Sequence, residues 1–149
     1  MNLLIIHPQN AFATPGGQAD MHRLADLVTR SGNTINCVAI IARPGMAIPR
    51  ELGAALRTWE ASTGRELNIT KTGLYYPPAA GRLWIAGENS ASVARIVQQL
   101  QGMVGADLQI SLLTDCISPA KGGEAQHKEF LNWASCAGMT LISSTVVVF

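Results

Sequence analysis

The residues able to do chemistry in this 149-residue chain are few and dispersed. His7 ends the apolar run Leu3-Leu4-Ile5-Ile6, where a neutral imidazole can accept a proton. Ser90 and Ser92 follow Gly87-Glu88-Asn89 at the expected start of a helix. A serine hydroxyl is far less acidic than a thiol and attacks only with a well-placed base, whereas capping a helix is its ordinary use at such a position. Cys37, Cys116 and Cys136 are odd in number and lack a CxxC spacing, so each is expected to be a small buried hydrophobe in a reduced setting. His7, His22 and His127 lie far apart without acidic partners at ligand spacing, and neither a metal nor a cofactor is expected. Pro15-Gly16-Gly17 reads as a turn, and Ala120-Lys121-Gly122-Gly123 lacks the spacing of a phosphate loop.

The elements that position these groups can be read from periodicity. Leu3 to Ile6, Val38 to Ala42, Leu83 to Ala86, Ile110 to Thr114 and Met139 to Ser143 are nearly continuous apolar runs, as in strands buried on both faces of a parallel sheet. A sixth, less apolar strand is expected over Glu66 to Lys71. Helical stripes lie between them. Met21, Leu24, Ala25 and Val28 precede a cap at Gly32; Leu52, Ala55, Leu56 and Trp59 follow Pro49 and end at Gly64. Val93, Ile96, Val97 and Leu100 follow a cap at Asn89 or Ser90, and Phe130, Leu131 and Ala134 belong to a helix from about Glu124 to Ala137, closed by Gly138. Trp59, Trp84 and Trp133 fall within these patterns as core or interface residues.

The expected architecture is one α/β domain over residues 1–149, a three-layer Rossmann-like open, mostly parallel sheet of about six strands with helices on both faces. Ligands in such sheets bind beyond the carboxyl ends of the strands, where the order reverses, and His7 and the loop from Gly87 to Ser92 sit at such ends. Composition agrees with a single packed core: 48% of residues are hydrophobic and only 14% charged. A surface so poor in charge is tolerated by burial in an assembly, and a homo-oligomer or protein assembly partner is the expectation. The formal net charge is +1 with no basic tract, which removes electrostatic support for nucleic acid binding. No apolar run approaches the roughly 20 residues of a membrane span, and a cytoplasmic location is expected.

Several motifs together resemble the isochorismatase-like cysteine hydrolases. Leu3 to Phe12 is similar to the family's first strand and its Asp-x-Gln-Asn-Asp-Phe motif, with His7 and Ala11 at the acidic positions. Leu83-Trp84-Ile85-Ala86-Gly87 resembles the strand and glycine before the nucleophile. Asp115-Cys116-Ile117-Ser118, His127 and Gly138 to Thr145 resemble the closing Asp-Ala-x-x-Ser, His and Gly-x-x-Ile-x-Thr-Thr pattern. The likeness covers most of residues 1–42 and 81–147, with a shorter segment between.

The resemblance implies a triad of Asp, Lys and Cys, and this chain departs from it. His7 stands at the Asp position, Lys71 is the match for the Lys that stabilises the thiolate, and Ser92-Val93 is nearest to Cys-Val. The metal-binding Asp-x-His of nicotinamidases has no counterpart in Ala42-Arg43-Pro44-Gly45-Met46. The expectation is a non-catalytic domain serving as a binding, assembly or structural protein, with Gln9, Asn10, Phe12, Gly87, Asn89 and Ser90 lining a degenerate pocket open to a small-molecule ligand. The alternative is a small amide or ester hydrolase with a rebuilt Ser92, His7 and Lys71 site, requiring the serine hydroxyl within about 3.2 Å of the imidazole.

Overall fold

A computed structural model describes residues 1–45, 47–71 and 75–149. Met46 and the Thr72-Gly73 part of the sequence context around Lys71 lie outside the described residues. Six strands form one sheet: β1 (Asn2–Ile6), β2 (Cys37–Ile41), β3 (Asn68–Thr70), β4 (Gly81–Glu88), β5 (Leu108–Ser118) and β6 (Thr140–Ile142). Their spatial order is β3-β2-β1-β4-β5-β6, with every pairing parallel. The helices are α1 (Gly17–Ser31), α2 (Arg50–Thr63), α3 (Ser90–Gln101) and α4 (Glu124–Cys136).

The continuous apolar runs arise because both faces of the sheet are covered. On β1, Leu3 and Ile5 pack with Leu24 and Val28 of α1 and Leu52 and Leu56 of α2. Leu4 and Ile6 point to the other face, among Val93 and Val97 of α3 and Phe130 and Ala134 of α4. All four β1 side chains are essentially inaccessible. At about 1.5–3 kcal/mol for each side chain of this size removed from water, the strand is an anchor for both layers.

Several boundaries differ from expectation. β3 shrinks to three residues at the sheet edge, where pairing on one side only supports a short strand. Pro49 is the N-cap of α2, one position before the first helical turn. β4 runs on through Gly87 and Glu88, and β5 extends to Ser118, four residues beyond the apolar run. The two strands lose simple register there: Ile85 pairs Leu112, but Gly87 pairs Ile117. Two steps along β4 thus match five along β5, and the surplus carries Asp115 and Cys116. Cys116 is buried as expected, but Cys37 and Cys136 are exposed. Cys37 opens an otherwise buried strand and Cys136 is the final residue of α4, so neither reaches the core.

Gly87 is required by close approach. A Cβ added there would lie 2.3 Å from the Ile6 carbonyl oxygen, so any larger residue would push β4 away from β1. Gly17 plays the same part at the start of α1, where a Cβ would meet the Ala11 carbonyl oxygen at 2.4 Å.

Candidate functional site

The sheet order reverses between β1 and β4, and the backbone is strained at the carboxyl ends of both strands. His7 has φ 46° and Asn89 φ 63°, the non-glycine residues with positive φ among those described. Such conformations cost energy for L-residues and concentrate where a fold positions ligands or reactive groups.

At the end of β1 the His7 N–H donates to the Ile41 carbonyl at 2.8 Å, and Pro8 starts a 3₁₀ turn that runs to Phe12. Gln9 and Asn10 are buried within this turn and hold the segment after β2. The Gln9 amide brackets the Arg43 backbone, donating to its carbonyl and accepting from its N–H at 3.3 Å each. The Arg43 guanidinium donates to Asn10 Oδ1 at 2.7 Å. Phe12 is 63% exposed and outside the neighbouring cleft. The His7 imidazole is half-buried, and its Nδ1 is buried without a hydrogen-bond partner. Burial first, then the charges of Arg43 and Arg95, hold its pKa below the usual histidine value.

At the end of β4, Asn89 caps α3 by accepting from the Ala91 N–H at 3.2 Å, and the Ser92 N–H donates to the Asn89 carbonyl. Ser90 is buried and Ser92 half-buried. Among the described residues no hydrogen bond joins the Ser92 hydroxyl to His7. Lys71 is exposed at the far end of β3, beside β2 rather than beside α3.

Of the six residues expected to line one pocket, Gln9 borders one space and Asn89 and Ser90 another, while Asn10, Phe12 and Gly87 border neither. Gln9 and Lys71 line a cleft of about 710 Å³ over the ends of β1, β2 and β3, together with Arg43, Arg50 and Arg57. Asn89 and Ser90 line a separate space of about 190 Å³ with Lys121 and Gly122. A cleft of about 720 Å³ at the opposite, amino-terminal ends of β4 and β5 includes Gly81, Arg82 and Asp107. That edge is remote from the strand ends where open α/β sheets place their ligands.

A polar cluster that the sequence reading missed lies beneath the β4–β5 side. Glu88 is fully buried and Asp20 is 1% exposed. Neither Glu88 oxygen, nor Asp20 Oδ2, has a hydrogen-bond partner among the described residues. Two ionised carboxylates buried near each other repel, so the proton is favoured on one of them. Burial first, and then the neighbouring Asp20 carboxylate, push the Glu88 pKa up to about 10, which leaves the proton on Glu88. Arg23 Nη2 holds Asp20 Oδ1 at 2.9 Å, and its Nε donates to the Asp115 carbonyl at 2.7 Å. Burial lowers the His127 pKa, partly offset by Asp20, and its Nδ1 is buried without a partner. The available signal was an acid on an apolar stripe: Gly17, Asp20, Leu24, Leu27 and Ser31 recur at helical spacing and are all buried.

Asp115 explains part of the closing pattern without catalysis. It accepts from the Ser144 N–H at 2.8 Å, the Ser144 hydroxyl at 2.6 Å and the Ser143 hydroxyl at 3.0 Å. Burial opposes its ionisation, but the hydrogen bonds from Ser144 and Ser143 outweigh it and lower its pKa. Cys116 beside it is unsuited to act as a nucleophile, because burial and the Asp115 charge push its thiol well above the usual range.

The same architecture occurs in solved structures of low sequence identity. The chain superposes on the MAR1 ribonuclease from Caenorhabditis elegans with a TM-score of 0.69 at 14% identity, covering 97% of this chain and 77% of that one. It superposes on the yeast nicotinamidase Pnc1p, solved with the inhibitor nicotinaldehyde, with a TM-score of 0.64 at 10% identity, covering 96% of this chain and 100% of that one. No protein-family model and no curated protein sequence matches the chain. The chain therefore shares the open parallel α/β fold of these two structures, the architecture expected from its apolar runs. Among the described residues, no helix is long and apolar enough to cross a membrane.

Proposed function

We propose that the chain uses this fold for binding, without catalysing hydrolysis. The observation carrying this reading is the setting of His7. The resemblance places a carboxylate there, beside a lysine and a thiol. Here the position holds an imidazole whose basicity is lowered by burial and by two guanidinium groups, with its buried nitrogen joined to no hydroxyl. A weaker base is poorly suited to activate a serine, which needs more help than a cysteine. The amino end of α3 supports the same reading, because Asn89 is occupied as a cap and Ser90 is buried beneath it. The reactions named for the similar structures, amide hydrolysis by a nicotinamidase and RNA cleavage by a ribonuclease, are accordingly not proposed for this chain.

The test is turnover by the purified protein against nicotinamide, a panel of small amides and esters, and an oligoribonucleotide, with Ser92→Ala and His7→Ala in parallel. No turnover above the variants is expected. Hydrolysis by the wild type that disappears in both variants would establish the rebuilt Ser92–His7 site and defeat the binding-only reading.

A further inference from the structure

The cleft over β1 to β3 concentrates positive charge without a matching acid. Arg43, Arg50, Arg57 and Lys71 line it, and none of its lining residues is acidic. Four of the chain's 11 basic side chains thus face one space in a protein whose net charge is only +1. Among the described residues none of the four forms an ion pair. The nearby acid in the first turn of α2, Glu51, is bonded to His22 at 2.6 Å and lines a different surface groove.

Arg43 is held by neutral groups. Gln9 fixes its backbone and Asn10 accepts from its guanidinium, so it is oriented while its charge stays unneutralised. The amino end of α2 adds to the field, since Arg50 and Gly53 of its first turns line the cleft and Pro49 supplies no side-chain cap. The remaining wall is apolar: Leu56 is buried, Ile48 and Leu67 are half-buried, and Ile69 is 48% exposed on the edge strand. Gly45 and Gly53 leave room, with nothing within 4 Å of a Cβ built at Gly45.

We propose that this cleft binds a small organic phosphate, its dianion held by the arginine and lysine side chains and its apolar body packed on the Leu67 and Ile69 wall. The proposal deepens the binding reading above and rests on it for the role of the site. A phosphate concentrates two charges on oxygens that the planar guanidinium fork engages in pairs, and three arginines supply that fork. The apolar wall adds what inorganic phosphate cannot use.

Phenyl phosphate is the probe, titrated by calorimetry into the full chain, with inorganic phosphate and phenol as its two halves. Saturable one-to-one binding is expected, at least tenfold tighter than for either half and weakened severalfold between 50 and 300 mM salt. The double variant Arg50→Gln/Arg57→Gln should lose tenfold or more in affinity with an unchanged melting temperature. Arg82→Gln/Lys128→Gln, which removes the same charge outside the cleft, should bind as the wild type does. Equal loss in both double variants, equal affinity for inorganic phosphate, or no saturable binding would overturn the proposal. Release of phenol during the titration would separately defeat the binding-only reading while leaving the site in place, so the two ideas fail by different outcomes.

Discussion

The two sides of the β1–β4 switch point treat charge in opposite ways. On the β1–β3 side, Arg43, Arg50, Arg57 and Lys71 border open solvent and lack carboxylate partners. On the β4–β5 side, Asp20 and Glu88 are buried, and half-buried Arg23 ties Asp20 to the Asp115 carbonyl. Exposed cations cost little to keep and remain available to a ligand. Buried acids are tolerated only when protonated or paired. One half of the strand-end surface therefore keeps its charges open to solvent, and the other is committed to holding β4, β5, α1 and the chain end together.

The sharpest way to break this contrast is at Asp115. Asp115→Ala removes the acceptor for three hydrogen bonds from Ser143 and Ser144 and leaves the Ser144 N–H without its partner. Hydrogen bonds to a charged acceptor contribute about 1.5–3 kcal/mol each and are not additive, so a loss of about 3 kcal/mol in denaturant unfolding is expected. A loss below about 1 kcal/mol would mean that this side is not the structural half.

Glu88→Gln gives an effect that depends on pH. The pKa of Glu88 is raised from its ordinary value to about 10, so its contribution to stability is complete below the unfolded pKa and is lost as pH rises toward 10. One proton gives a slope of at most about 1.4 kcal/mol per pH unit. Thermal unfolding of the wild type should fall steadily between pH 6 and 9, and the glutamine variant, neutral throughout, should lose that slope. Parallel profiles would show that no proton is held on Glu88.

The smallest effect belongs to the open side. His7 has a lowered pKa, so the folded state resists its protonation and stability falls as pH drops below the ordinary histidine value. Arg95→Gln should raise the His7 titration midpoint followed by NMR, with burial keeping it below that of a free histidine. An unmoved midpoint would remove Arg95 from the field around His7.

Much of the fold was legible because its signals are local. The runs Leu3 to Ile6 and Val38 to Ala42 mark doubly covered strands, and glycines at 32, 64 and 138 end helices as read. Glu88 was read as a loop residue because nothing in Gly87-Glu88-Asn89 states that the strand continues. The extension depends on β5 supplying partners across a register shift, a non-local condition. The site was legible by residue type but not by grouping. Gln9 borders the cleft while its amide brackets the Arg43 backbone, whereas Asn10 is outside it and acts by holding the Arg43 guanidinium.

The sequence alone determined the layered α/β architecture, since the spacing of apolar side chains dictates which elements can be covered on one face or two. It also determined that the Asp and Cys of the resembled triad are absent, a matter of residue identity. Only the tertiary structure decided where charge is left free. Arg43, Arg50, Arg57 and Lys71 are spread over 29 positions and meet because β1, β2 and β3 lie side by side and the first turns of α2 border the same cleft. Asp20 and Glu88, 68 positions apart, are both buried because α1 packs against β4 and β5, and Glu88 keeps its proton there. Charges interact through distance and dielectric, and both are set by packing rather than by order along the chain.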